Sequence, residues 1–189
     1  MKITGLSKKF GKKVIFDNFS LELPSKGITA LSGESGCGKT TLLRIIAGLD
    51  KKYSGTVDYG NIKKISYVFQ EPRLLPHSTV LENVALSLGN TEEARTVAKR
   101  LLTEVGLEND LDSYPDELSG GMKMRVSIAR ALAYDGDILL LDEAFNGIEE
   151  KMTKSIMKLI SNYAKNKPCI LITHNKEHLE YLQCNIIYL

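Results

Sequence analysis

The stretch Gly33–Thr40, GESGCGKT, has the spacing G-x-x-x-x-G-K-[ST]. Glycines so spaced let backbone N–H groups turn inward around an anion, and the lysine and hydroxyl that follow meet phosphate oxygens and a divalent cation. Gly33, Glu34, Ser35, Gly36, Cys37 and Gly38 are expected to wrap the phosphates of a nucleotide. Lys39 would reach the β/γ oxygens, Thr40 would bind Mg²⁺, and Thr41 would complete the loop at a helix start. The plain rival is a glycine-rich turn with a solvated lysine. A second group, ILLLDE at Ile138–Glu143, sets two carboxylates at the end of an apolar run, where ligands bind in open α/β folds. Asp142 can hold Mg²⁺ through water, and Glu143 can act as a general base toward an attacking water. The plain rival here is a pair of carboxylates capping the next helix.

LSGGMKMRVSIARAL, Leu118–Leu132, reads as another anion loop. Ser119 can cap a helix, and Gly120 and Gly121 expose backbone N–H groups at its positive end. Its distance from Gly33–Thr40 in the chain raises the question of whose phosphate it meets. HNKEH, His174–His178, fits the inverted zinc-protease spacing H-x-x-E-H. His174 follows an apolar strand, however, so the two histidines are not expected on one helix face, and Glu180 is the sole plausible carboxylate ligand downstream.

These groups need elements to hold them. Met1–Lys2–Ile3 leads into a strand-like segment, Val14–Leu23 alternates at strand period, and Gly27–Leu31, Ile65–Phe69, Ile138–Leu141, Cys169–Thr173 and Ile186–Leu189 read as short strands. Helices are expected at Thr40–Gly48, through Thr79–Gly106, and at Gly121–Tyr134, Met152–Tyr163 and Glu177–Leu182. Apolar strands without alternation, interleaved with helices, predict an α/β fold with a largely parallel sheet. No strand signal lies between about Glu71 and Asp116, which predicts an inserted helical lobe.

Composition adds bounds. The chain has 189 residues, 25 Lys and Arg against 23 Asp and Glu, and a net charge of +2, so bulk charge does not point to nucleic acid. No signal-like opening is evident and no apolar run is long enough for a bilayer span. The three cysteines Cys37, Cys169 and Cys184 lack zinc spacing and suit a reducing cytosol.

With these motifs in order, the sequence resembles the ATP-binding cassette (ABC) ATPases over nearly its whole length. The resemblance implies an α/β P-loop NTPase core with a mostly parallel sheet, an N-terminal antiparallel β portion and an inserted α-helical subdomain. A single domain is expected, with its core at 1–70 and 135–189 and the helical subdomain at about 71–134. Phe10 would stack on adenine, and Gln70, ending ISYVFQ, would touch Mg²⁺. The metal set would then be Thr40, Gln70 and Asp142, and the catalytic set Lys39, Glu143 and His174, the last matching the switch histidine after CILIT. Ser119, Gly120 and Gly121 match the signature, which in this family meets the ATP of a partner subunit across a head-to-tail dimer. ATP and Mg²⁺ are the implied ligands. A homodimer or a paired ABC ATPase and a membrane permease are the implied partners, with a solute-binding protein involved indirectly and no nucleic acid.

VFQEPRLLPHSTVLENVAL resembles the importer subfamily of nitrate, sulfonate and taurine systems. A cytoplasmic subunit, peripheral on the inner face of the cell membrane through the permease, is the implied place. No regulatory domain is expected after the histidine strand. The family pattern breaks at Ala144, where proline is usual, and at Asn146–Gly147–Ile148–Glu149, where S-A-L-D is usual. Hydrolysis is still expected. The rival readings are a soluble ABC ATPase without a permease, in cofactor assembly or nucleic-acid work, and a module that binds ATP without cleaving it.

Overall fold

Every residue of Ile138–Asp142 is buried, and this strand runs through the middle of the molecule. In the computed structural model, which describes residues 1–189, it is β6 of a five-stranded sheet. The order across that sheet is β5 (Ile65–Val68), β6, β7 (Pro168–Ile172), β3 (Gly27–Ser32) and β8 (Asn185–Tyr188). All its pairings are parallel, and its inner strands β6, β7 and β3 are buried along most of their length, as strands of a parallel sheet covered on both faces commonly are. Alternate residues serve opposite faces. Ile138, Leu140, Ile170 and Ile172 join one apolar cluster, and Leu139, Leu141, Cys169 and Leu171 join the other.

On the first face lies helix α1 (Lys39–Ile46), which buries Leu42, Leu43, Ile45 and Ile46. Outside it lies an antiparallel sheet in the order β2 (Lys13–Glu22), β1 (Lys2–Phe10), β4 (Ser54–Asp58). Ile3, Leu6 and Phe16 of that sheet pack into the same cluster as α1. Each such side chain contributes about 1.5–3 kcal/mol on burial, so α1 and the loop before it are held firmly between two sheets.

The second face is covered by helices α4 (Gly120–Tyr134) and α5 (Glu150–Ala164), and α6 (Lys176–Tyr181) links β7 to β8. Between β5 and α4 stand α2 (Val80–Ala85) and α3 (Glu92–Glu104). Both pack on α4, and their Val80, Val84, Ala98 and Leu102 share one apolar cluster with Leu139 and Leu141 of β6. The far end of α4 is tied to the sheet, because the Ser66 hydroxyl donates to the Ala131 carbonyl at 2.8 Å and accepts from Gly136 N–H at 3.1 Å. Buried Asn83 shapes the segment between Gln70 and α2. Its amide donates to the carbonyls of Leu75, Ser78 and Thr79, and its oxygen accepts from Leu75 N–H.

The class of fold is the one the sequence implied, with three differences in detail. The helix expected through Thr79–Gly106 is broken. After α2 comes one 3₁₀ turn, Leu86–Leu88, then Gly89 and Asn90 at φ 93° and 56°, and Thr91 caps α3 afresh. Strand β4 was not expected, and its burial explains why: only Val57 is partly buried, so no apolar alternation marks it. The five-stranded sheet is wholly rather than mostly parallel. No helix is long and apolar enough to cross a membrane.

Candidate functional site

The Gly33–Thr40 loop joins β3 to α1. Gly33, Gly36 and Gly38 all have positive φ, which L side chains rarely adopt. At Gly38 space is decisive too, since a Cβ would lie 2.5 Å from the Ile15 side chain and 2.8 Å from Phe16. Gly38 starts α1 without a side-chain cap, leaving the first helical N–H groups free to face an anion. Lys39 is only 7% exposed, and its ammonium donates to the carbonyls of Gly33 at 2.8 Å and Glu34 at 2.9 Å.

Beside this loop is a cavity of about 260 Å³, lined by Ser35, Gly36, Gly38, Lys39, Thr40 and Thr41 together with Ile15, Gln70, Glu143, Ile172 and His174. Five segments far apart in sequence thus meet here, and all but the one carrying Ile15 come from the parallel sheet. They do so at the C-terminal ends of β3, β5, β6 and β7, where the parallel sheet presents its connecting loops. Gly33 lines a neighbouring cavity of about 380 Å³ that also borders Lys39 and His174.

Asp142 ends β6 just behind this wall and is 2% exposed. The Thr40 hydroxyl donates to its Oδ1 at 3.1 Å, and the Tyr67 hydroxyl donates to its Oδ2 at 3.3 Å. Burial pushes the Asp142 carboxyl above the usual aspartate range, and the two hydrogen bonds offset part of that. A hydroxyl and a carboxylate in contact form a hard-oxygen donor set, which suits Mg²⁺. Tyr67 is held in turn by stacking on Phe69, centroids 4.1 Å apart.

Glu143 follows at φ 51°, a left-handed conformation uncommon outside glycine. Its Oε1 is 3.5 Å from His174 Nε2, and its Oε2 accepts from the Asn146 amide at 2.8 Å. Its own N–H donates to the Ile172 carbonyl at 3.0 Å, which fixes the end of β6 against the end of β7.

Phe10 lies outside the cavity lining. It is 53% exposed at the end of β1, with the Lys8 ammonium 4.6 Å from its ring centroid. Its hairpin partner Lys13 donates to the Gly36 carbonyl at 3.3 Å, so this hairpin touches the glycine loop. Glu34 and Cys37 belong to the same loop without lining the cavity, and Cys37 Sγ is 3.8 Å from Lys39 Nζ.

Ser119, Gly120 and Gly121 are not brought to this cavity. Ser119 caps α4, its hydroxyl accepting from Met122 N–H at 3.3 Å. The space beside Gly120 is open, whereas a Cβ on Gly121 would collide with the Gly147 carbonyl. The two histidines of the H-x-x-E-H stretch part company: His174 approaches Glu143, while His178, in α6, meets Thr173 Oγ1 at 3.3 Å and the Phe145 ring edge-on.

Two residues here escaped sequence reasoning. Tyr67 is the penultimate residue of β5 and pairs with Leu140 of β6, a neighbour that a pattern read along the chain does not show. Asn146 was noticed only as a departure, and nothing local in the sequence signals its bond to Glu143.

Known proteins carry the same plan. Residues 16–146 match the family model described as "ABC transporter". The chain is 39% identical over 189 residues to the "Aliphatic sulfonates import ATP-binding protein SsuB 1" of Streptomyces avermitilis, covering 99% of this chain and 72% of that protein. It is 39% identical over 196 residues to the "Sulfate/thiosulfate import ATP-binding protein CysA" of Vibrio vulnificus, covering 94% of this chain but 57% of that one. Among solved structures, the dimeric post-hydrolysis state of the ATP-binding cassette MJ0796 bound to ADP and Pi superposes with a TM-score of 0.85 at 29% identity, covering 100% of this chain and 93% of that one. A second dimeric MJ0796 structure gives a TM-score of 0.86 at 30% identity. The glycine loop, the carboxylates at the end of β6 and the family match from residue 16 to residue 146 lead to one conclusion: this chain belongs to the ABC transporter family.

Proposed function

We propose that the chain is the ATP-binding and ATP-hydrolysing subunit of a membrane import system, working as a head-to-tail pair of cassettes. The observation that carries this reading is a separation. Lys39, Thr40, Gln70, Glu143 and His174 meet on one cavity, while Ser119, Gly120 and Gly121 stand outside it. A site that needs both groups takes the second from another copy or a paired relative.

In this reading ATP enters over the glycine loop, with Phe10 on the adenine side and the N–H groups of Gly33–Thr41 around the phosphates. The Lys39 ammonium exchanges the Gly33 and Glu34 carbonyls for phosphate oxygens, trading neutral acceptors for charged ones. Thr40, Asp142 and Gln70 would hold Mg²⁺, which when bound neutralises charge on the β and γ oxygens. Glu143 accepts the proton of the attacking water, and His174 stands beside that carboxylate to orient the reacting group.

The two relatives named above are import ATP-binding proteins, one for aliphatic sulfonates and one for sulfate or thiosulfate. That supports a permease as the membrane partner, docked by the helical lobe at about 71–134, with a solute-binding protein acting indirectly. The core would be 1–70 and 135–189. The chain would then lie peripherally on the cytoplasmic face of the membrane.

Gentle solubilisation of membranes containing the tagged chain tests this reading, followed by identification of what co-purifies and assay of steady-state ATP hydrolysis. A multi-span protein that co-purifies stoichiometrically, with ATP turnover, is expected. Turnover with no membrane protein attached would favour a soluble ABC ATPase, and binding without turnover a module that only holds ATP.

A further inference from the structure

The loop after Glu143 departs from the family pattern at Asn146 and Gly147, and both residues have a structural place. Asn146 Nδ2 donates to Glu143 Oε2 at 2.8 Å, while Oε1 stands 3.5 Å from His174 Nε2. Each carboxylate oxygen therefore has its own neighbour. Glu143 holds φ 51°, which a residue with a side chain keeps only when its surroundings impose it.

Those surroundings are firm. Ala144 and Phe145 are buried, Asn146 N–H donates to the Glu143 carbonyl at 3.2 Å, and Ile148 N–H donates to that of Phe145 at 3.3 Å. Gly147, at φ 74°, presses its carbonyl on Gly121, where any side chain would collide. An amide reaches one bond further from the backbone than the serine hydroxyl usual at this place. It is also a donor that stays neutral, so it can bind a carboxylate without changing the charge of the site.

We propose that Asn146 is a positioning residue for Glu143: its amide holds Oε2 and leaves Oε1 beside His174 on the wall of the cavity. The change from the family's pattern supplies an in-chain brace for the base. A free glutamate with three rotatable side-chain bonds samples many orientations, and fixing one of them favours the reactive geometry. This inference rests on Glu143 as the general base.

The test compares wild type with Asn146→Ala, the isosteric Asn146→Asp, Glu143→Gln, and the double variant Glu143→Gln/Asn146→Ala. The readouts are kcat and KM for MgATP, single-turnover rates for the slow variants, and the melting temperature of each. Asn146→Ala should lower kcat about tenfold, the usual effect of losing one hydrogen bond to a charged group. KM and melting temperature should stay at wild-type values, because neither the phosphate loop nor the fold depends on this bond. Asn146→Asp should lower kcat further, since it sets a second carboxylate against the first. On the Glu143→Gln background Asn146→Ala should change the residual rate by less than about twofold, with no base left to aim.

Wild-type kcat in Asn146→Ala overturns the proposal. So does an equal loss of rate on both backgrounds, or a loss accompanied by a raised KM or a lowered melting temperature, which would make Asn146 a prop for the loop. A Glu143→Gln chain that turns over at the wild-type rate is a different failure, since it removes the base reading itself.

Discussion

The Thr40 hydroxyl donates a 3.1 Å hydrogen bond to the Asp142 carboxylate, joining residues 102 positions apart. The first lies at the start of α1 and the second at the end of β6, and the apolar cluster around Leu42, Leu43, Ile138 and Leu140 brings these elements together. Tyr67 closes the other side of the carboxylate from β5. Two hydroxyls hold a buried charge that no cation of the chain neutralises at contact distance, an arrangement that favours metal binding over stability.

Asp142→Asn should therefore stabilise the nucleotide-free chain. Burial raises the Asp142 carboxyl above its ordinary range in the folded state. Below that range both folded and unfolded chains carry the proton, and the charge exacts nothing. As pH rises, the unfolded chain ionises first, and the penalty grows until the folded carboxyl ionises too. At pH 7 Asp142→Asn should therefore melt above wild type. The gain should vanish at low pH, and melting curves across pH check both points. An Asp142→Asn chain that melts below wild type at pH 7 would contradict this account of the site.

Lys39→Ala should weaken MgATP binding on the order of a hundredfold, the effect of losing a charge-assisted contact to phosphate. Equilibrium binding of MgATP to the purified variant checks it. The fold should survive, because the Lys39 ammonium bonds only to two carbonyls of its own loop and weakly to Cys37.

Cys37 should be alkylated several-fold more slowly with saturating MgATP than without it, because nucleotide covers the loop that carries it. Cys169 is buried and its thiol is pushed far up; burial pushes that of Cys184 up to about 11. Both thiols should label slowly in any state. A chain with Cys169→Ser and Cys184→Ser isolates the signal, and equal rates with and without MgATP would put Cys37 away from the nucleotide.

What the sequence made legible was chemistry written contiguously. Gly33–Thr40 and Ile138–Glu143 announce themselves because loop, helix start and buried strand follow one another without a gap. The parallel core was legible for a similar reason, as Ile138–Leu141 and Ile170–Ile172 are apolar on both faces. Strand β4 was not, because hydrogen bonds to β1 place it and four of its five residues are exposed. The break at Gly89–Asn90 was hidden by apolar residues that continue at helical spacing on both sides of it. Asn146 and Tyr67 act through carboxylates fixed by tertiary packing, and a pattern read along the chain carries no sign of such contacts.

The central claim is that Ser119–Gly121 serves the ATP of a second subunit. Light scattering of Glu143→Gln with ATP, first without and then with magnesium, tests it beside Glu143→Gln/Gly120→Asp. Blocking hydrolysis keeps the bridging ligand in place, and a ligand that contacts both chains drives their association. Gly120 borders open space, so an aspartate fits the monomer and sets a negative charge where the partner's phosphate would lie. The account predicts that Glu143→Gln dimerises with ATP, and that the added Gly120→Asp abolishes the dimer while ATP binding to the monomer survives. A double variant that still dimerises with ATP would contradict the claim that this loop meets a neighbour's phosphate.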